Sequence, residues 1–240
     1  MTIAIILLCL GALTSLIFIV SKVVNYSPKT IVLKTVASLF FVALGIYCAA
    51  VTPGSAPFKV LLLLGLFFGM LGDLLLGFKY ITTKTKNIWI LAGMFAFAFG
   101  HIFYVIALFV GYYVPGNAWF IALPFLTAVV ISSLYMLVSR KVGIAFGKLL
   151  PFGLFYLFCL TSMVSTSLYM NVLQGFARPN LVMFFVGALN FIASDFMLTG
   201  AYFKPGKRSK TYMATYSVFY YVAQFVIAFS LMFLGNPILL

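Results

Sequence analysis

Asp73 and Asp195 are the only acidic side chains in 240 residues. Each sits in an apolar stretch, Leu71-Gly72-Asp73-Leu74-Leu75-Leu76 in one case and Ala193-Ser194-Asp195-Phe196-Met197-Leu198 in the other. Ionisable groups at such depth are costly and commonly mark a site of chemistry. Two carboxyls in a low-dielectric layer tend to share a proton, because burial and mutual repulsion disfavour the second charge. One then serves as proton donor and the other as carboxylate, the arrangement required for general acid–base catalysis.

The elements that carry these groups follow from composition. The chain is 65% hydrophobic and 7% charged, with mean hydropathy +1.22. Soluble domains carry about a quarter charged residues. Each membrane-crossing helix needs about 20 apolar residues, and the sequence divides into eight such segments at 2–20, 32–52, 60–78, 88–110, 119–138, 149–168, 181–200 and 212–234. Continuous apolarity without alternation argues against a β-barrel. The expected fold is therefore all-α, a polytopic membrane helical bundle forming a single integral membrane domain over 1–240. The breaks carry turn residues, among them Pro28, Pro53-Gly54, Pro115-Gly116-Asn117, Pro179 and Pro205-Gly206.

The formal net charge of +13 belongs to loops. Lys22, Lys29 and Lys34 surround loop 1; Lys79, Lys84 and Lys86 loop 3; Arg140, Lys141 and Lys148 loop 5; Lys204, Lys207, Arg208 and Lys210 loop 7. Only Lys59 and Arg178 fall on the other side. The positive-inside rule then puts the odd loops in the cytoplasm and both termini outside. Nucleic acid is not an expected partner, since these loops are too short to build a groove reader. Cys9, Cys48 and Cys159 read as buried small hydrophobes.

Spans 3 and 7 run in the same direction, and each Asp is followed by apolar residues, a Gly and a basic loop, which suggests a parallel 4+4 repeat. His101 follows Asp73 by 28 positions and Gln224 follows Asp195 by 29. At 1.5 Å per residue, Asp73 lies about 9 Å and Asp195 about 14 Å inside the cytoplasmic edge, with His101 and Gln224 about 20 Å deep. The two carboxyls meet if spans 3 and 7 are neighbours. Lys34 is placed near the headgroups. Tyr104 shares a face with His101, Tyr220 with Gln224, and Asn190 with Ser194 beside Asp195, while Gly65, Gly69 and Gly72 line the approach to Asp73. Metal chemistry is not expected, because the lone His lies too far from the Asp layer for a three-ligand zinc site; no cofactor is implied.

At these residues the chain resembles the lysoplasmalogenase (YhhN-like) family of membrane hydrolases. The resemblance rests on Lys34, Gly72-Asp73, Gly100-His101 with Tyr104, Pro151 with Tyr156 and Met163, Gly187 through Ser194-Asp195, and Tyr220-Tyr221 with Gln224. Thr35 stands where the family pattern leads one to expect proline. The resemblance implies hydrolysis of the vinyl ether of a lysophospholipid, lysoplasmalogen, to a fatty aldehyde and a glycerophospho-base. It implies catalysis by Asp73 and Asp195, with Lys34, His101, Tyr104, Tyr156, Asn190, Ser194, Tyr220 and Gln224 binding substrate among membrane lipids. On that basis Lys34 would hold the phosphate and the alkyl tail would run past His101 and Tyr104. The host membrane would be the bacterial cytoplasmic membrane or, in a eukaryote, the endoplasmic reticulum. A proton-coupled transporter using the same aspartates is the competing reading, although no polar path to the outer face is evident. An aspartyl protease is disfavoured because Met70 breaks the Gly-x-Gly-Asp pattern.

Overall fold

The computed structural model describes residues 1–79, 81, 83–113, 119–206 and 208–235. The Pro115-Gly116-Asn117 turn and Lys207 lie outside the described residues. Eight helices follow in order: α1 (Thr2–Val24), α2 (Pro28–Val51), α3 (Ala56–Phe78), α4 (Lys86–Tyr112), α5 (Trp119–Lys141), α6 (Leu150–Leu173), α7 (Pro179–Phe203) and α8 (Lys210–Ser230). All eight are long and apolar enough to cross a membrane, and no strand occurs among the described residues. The protein is an integral, multi-pass membrane protein.

Several helices begin earlier than the sequence suggests, for one physical reason. Pro28 and Pro179, which read as breaks, occupy first-turn positions, as does Pro57; a missing N–H there costs no hydrogen bond. At α2 the Ser27 amide also donates to Thr30 Oγ1 at 3.1 Å, closing the helix start. The early start moves Lys34 into the seventh helical position, well inside the bundle instead of at the headgroups.

Helix packing repeats across the two halves. The pairs α1–α2, α2–α3 and α3–α4 correspond to α5–α6, α6–α7 and α7–α8, while α2–α8 corresponds to α6–α4. Spans 3 and 7 are not direct neighbours: α3 packs chiefly on α4 and α2, and α7 on α8 and α6. The central helices α4, α6 and α8 separate them. Outer helices α1 and α5 expose Ile6, Leu13, Val130, Leu134 and Leu137. These apolar side chains suit contact with lipid tails. Cys48 and Cys159 are buried, but Cys9 is exposed on α1 because its face has no neighbouring helix.

Cross-helix contacts sort the loops by end. Lys22 reaches Ser217, Lys79 lies over the Tyr202 ring, and the Ala145 amide donates to the Phe203 carbonyl. Loops 1, 3, 5 and 7 thus share the basic end. At the opposite end Asn180 bonds Tyr112, and Thr52 Oγ1 reaches Met232 Sδ at 3.8 Å.

Candidate active site

A cavity opens at the basic end, and all eight helices contribute to its wall. Its lining runs from Lys22, Phe146 and Phe203 near the helix ends to Phe97 and Leu160 at depth. Asp73 and Asp195 both line it, 2% and 5% exposed.

The two carboxyls have different surroundings. Asp73 Oδ1 is 2.8 Å from Lys34 Nζ, an ion pair with both partners inside the bundle. Its Oδ2 accepts from Ser38 Oγ and from Tyr220 Oη, each at 2.6 Å. Lys34 therefore faces Asp73 and not the headgroup layer, and its Nζ also reaches the Asp73 carbonyl at 3.2 Å. Asp195 has a single side-chain partner, Tyr156, whose hydroxyl donates to Oδ2. Among the described residues its Oδ1 has no hydrogen bond, and Asp195 lines the cavity.

Behind each carboxyl stands a supporting chain. Gln224 Nε2 donates to Tyr220 Oη at 3.1 Å, and Tyr104 Oη donates to Gln224 Oε1 at 3.3 Å. The glycines of α3 make this possible. A Cβ on Gly65 would sit 2.2 Å from the Tyr104 ring, and one on Gly69 would sit 2.5 Å from Gln224 Nε2. On the other side, His101 Nε2 lies 3.4 Å from Tyr156 Oη. Neither His101, Tyr104 nor Gln224 is among the residues that line the cavity. Phe97, Phe191 and Tyr220 pack edge to face, with centroids 5.4–6.1 Å apart, at the base of the cavity.

Two more expected residues take structural places. Ser194 lines the cavity but donates to the Tyr216 carbonyl at 2.8 Å, tying α7 to α8. Asn190 points away and bonds the Val186 carbonyl of its own helix. It is rotated by about 140° from Asp195 around α7, given 100° per residue. Ser38 went unnoticed in sequence, although it stands at i+4 from Lys34 and so shares its face. Lys22, Ser217, Tyr135 and Thr199 also line the cavity unanticipated. One signal was available: Lys34 precedes Asp73 by 39 residues, and Tyr156 precedes Asp195 by 39.

The electrostatics of the mouth are positive. Lys79, just beyond α3, lies over the Tyr202 ring. Burial, followed by the charges of Lys34, Lys22 and Lys86, holds its ammonium well below the usual lysine range.

A model of the YhhN family matches residues 29–231, which include both aspartates and all the residues of the supporting chains. The chain belongs to the YhhN family. This is the lysoplasmalogenase-like family, and membership is consistent with a hydrolase. No curated protein and no solved structure matches the chain. The YhhN match begins at Lys29, so Lys22 and the rest of α1 stand before it.

Proposed function

We propose that the protein is a lysoplasmalogenase, cleaving the vinyl ether of lysoplasmalogen with Asp195 as acid and Asp73 as fixed carboxylate. The observation that carries this reading is the inequality of two carboxyls facing one cavity. Three donors, one of them a cation, hold Asp73. Tyr156 occupies one oxygen of Asp195, and the other has no hydrogen bond among the described residues.

In this reading Asp195 Oδ1 carries the proton and delivers it to the alkene carbon distal to the ether oxygen. The electron pair of the double bond forms the new C–H bond, and the ether oxygen shares the resulting positive charge as an oxocarbenium ion. The Asp73 carboxylate, already oriented, faces that charge without reorganising. Water adds to the oxocarbenium carbon and returns a proton to Asp195, leaving a hemiacetal. Collapse breaks the bond to the glycerol oxygen, which takes up the hydroxyl proton, giving a fatty aldehyde and glycerophosphocholine or glycerophosphoethanolamine. The balance is one water consumed and no net proton. The logic is that of glycoside hydrolysis, where two carboxyls flank an oxocarbenium-like transition state. With the basic loops in the cytoplasm, substrate enters from the inner leaflet of a bacterial cytoplasmic membrane or from the cytoplasmic leaflet of the endoplasmic reticulum.

The test is aldehyde release from 1-alkenyl lysophospholipid by purified protein in detergent. Activity in wild type and its loss in a folded Asp195→Asn variant are expected; a folded Asp195→Asn protein with wild-type turnover would overturn the assignment. The transporter reading draws on one observation, the buried Ser162, Ser165, Thr166 and Asn171 of α6, which extend from the cavity region toward the opposite end. Proton uptake into proteoliposomes, with no aldehyde released in detergent, would favour it.

A further inference from the structure

Lys22 lines the cavity and has no ion-pair contact among the described residues. Its Nζ donates to Ser217 Oγ at 2.7 Å and lies 4.0 Å from the centre of the Tyr216 ring. Ser217 is buried and directs its own proton to the Met213 carbonyl at 2.8 Å, so its oxygen presents a lone pair to the ammonium. An ammonium has three N–H bonds. The hydroxyl takes one, while the rings of Tyr216 and, at 5.7 Å, Phe18 offer only their faces to the ammonium, so a stronger acceptor in the cavity can still be bound. A lysine that only marks topology extends its head to water at the interface; this one turns inward across the bundle to α8.

The charge balance points the same way. Lys34 is matched by Asp73. Asp195 pairs with a phenol, not with a cation. Lys22 therefore has no carboxylate in ion-pair contact among the described residues. A low-dielectric cavity in this state favours an anion.

Position agrees. Lys22 reaches Ser217, seven residues into α8, and the adjacent Tyr216 carbonyl accepts from Ser194, the neighbour of Asp195. The ammonium thus stands close to the carboxyl layer, and Lys22, Asp73 and Asp195 all line one cavity.

We infer that Lys22, fixed by Ser217 over Tyr216, is an anion subsite that takes the phosphate ester of a single-chain lipid while the ether end reaches the aspartates. Naming the lipid rests on the proposed hydrolase function; the subsite itself rests on the cation and its geometry. The subsite is supplied by α1, ahead of the family match.

The experiment uses non-cleavable ligands, so it does not require hydrolysis. Binding of 1-O-alkylglycerophosphocholine and of 1-O-alkylglycerol, both with saturated chains, is measured by calorimetry with the full chain in detergent. Wild type should prefer the phosphorylated ligand, and Lys22→Gln should reduce that preference by roughly tenfold or more, as expected for a hydrogen bond to a charged group. Lys22→Arg retains the charge and should keep most of the preference, which separates ligand contact from folding damage. An unchanged ratio in Lys22→Gln would overturn the subsite. Inorganic phosphate is the competing arm: displacement by phosphate alone, at the strength of the lipid, would overturn the lipid assignment and leave a free-anion site. A wild-type protein that shows the preference yet never releases aldehyde would fail the hydrolase reading alone.

Discussion

The first four helices and the last four build the same packing pattern and furnish it with different donors. In the first half, position 39 before the aspartate is Lys34; in the second it is Tyr156. A primary amine at that point gives Asp73 an ion pair, and a phenol gives Asp195 a neutral hydrogen bond. Equivalent scaffolds thus produce unequal carboxyls, and the inequality comes from the partner, not from depth or from the helix that carries the acid. Acid–base pairs elsewhere are divided by the same means, through environments that push two similar groups apart.

Substitutions can break or sharpen this contrast. The largest effect is expected from Asp195→Asn, which removes the proton donor and should lower turnover by about 10²–10⁴-fold with the protein still folded, as judged by thermal unfolding in detergent. Next comes Lys34→Met. It strands a buried carboxylate and should cost about 3–5 kcal/mol of stability, whereas Tyr156→Phe removes a neutral partner and should cost only about 1 kcal/mol. Equal losses of stability in those two variants would show that the halves are not unequal in the way described. Gly69→Ala should displace Gln224, cost about 1–3 kcal/mol and lower activity through Tyr220; a crystal structure with Gln224 unmoved would contradict that route. The smallest effect belongs to Asn190→Ala. Its amide bonds only its own helix, so unfolding and aldehyde release should stay within about 0.5 kcal/mol of wild type.

Much of the architecture could be read from the chain. Apolar length gave eight spans, and lysine distribution grouped the odd loops at one end. The aspartates stood out because no other acid exists. Helix starts were misplaced where proline was taken as an interruption, and that error carried Lys34 outward to the headgroups. His101 and Gln224 were singled out for polarity, but polarity alone does not distinguish a cavity wall from the layer behind it. That distinction depends on which helices intervene, and α4 and α8 turn these side chains toward Tyr156 and Tyr220. Ser38 and Lys22 escaped notice because hydroxyls and terminal lysines are common in such helices; their partners, Asp73 and Ser217, are 35 and 195 residues away in sequence.

The Lys34–Asp73 pair joins adjacent helices, and this bears on how the chain enters the bilayer. A lone lysine or aspartate at a helix centre costs about 2.5–3.5 kcal/mol on insertion scales. The α2–α3 hairpin delivers both at once, and their opposite charges cancel before any later segment has been made. Asp195 brings no countercharge on a neighbouring helix and crosses most cheaply in its neutral form. The chemistry at that position is thus already favoured when the ribosome releases α7, and a lysine introduced beside it would ease translocation while spoiling the acid.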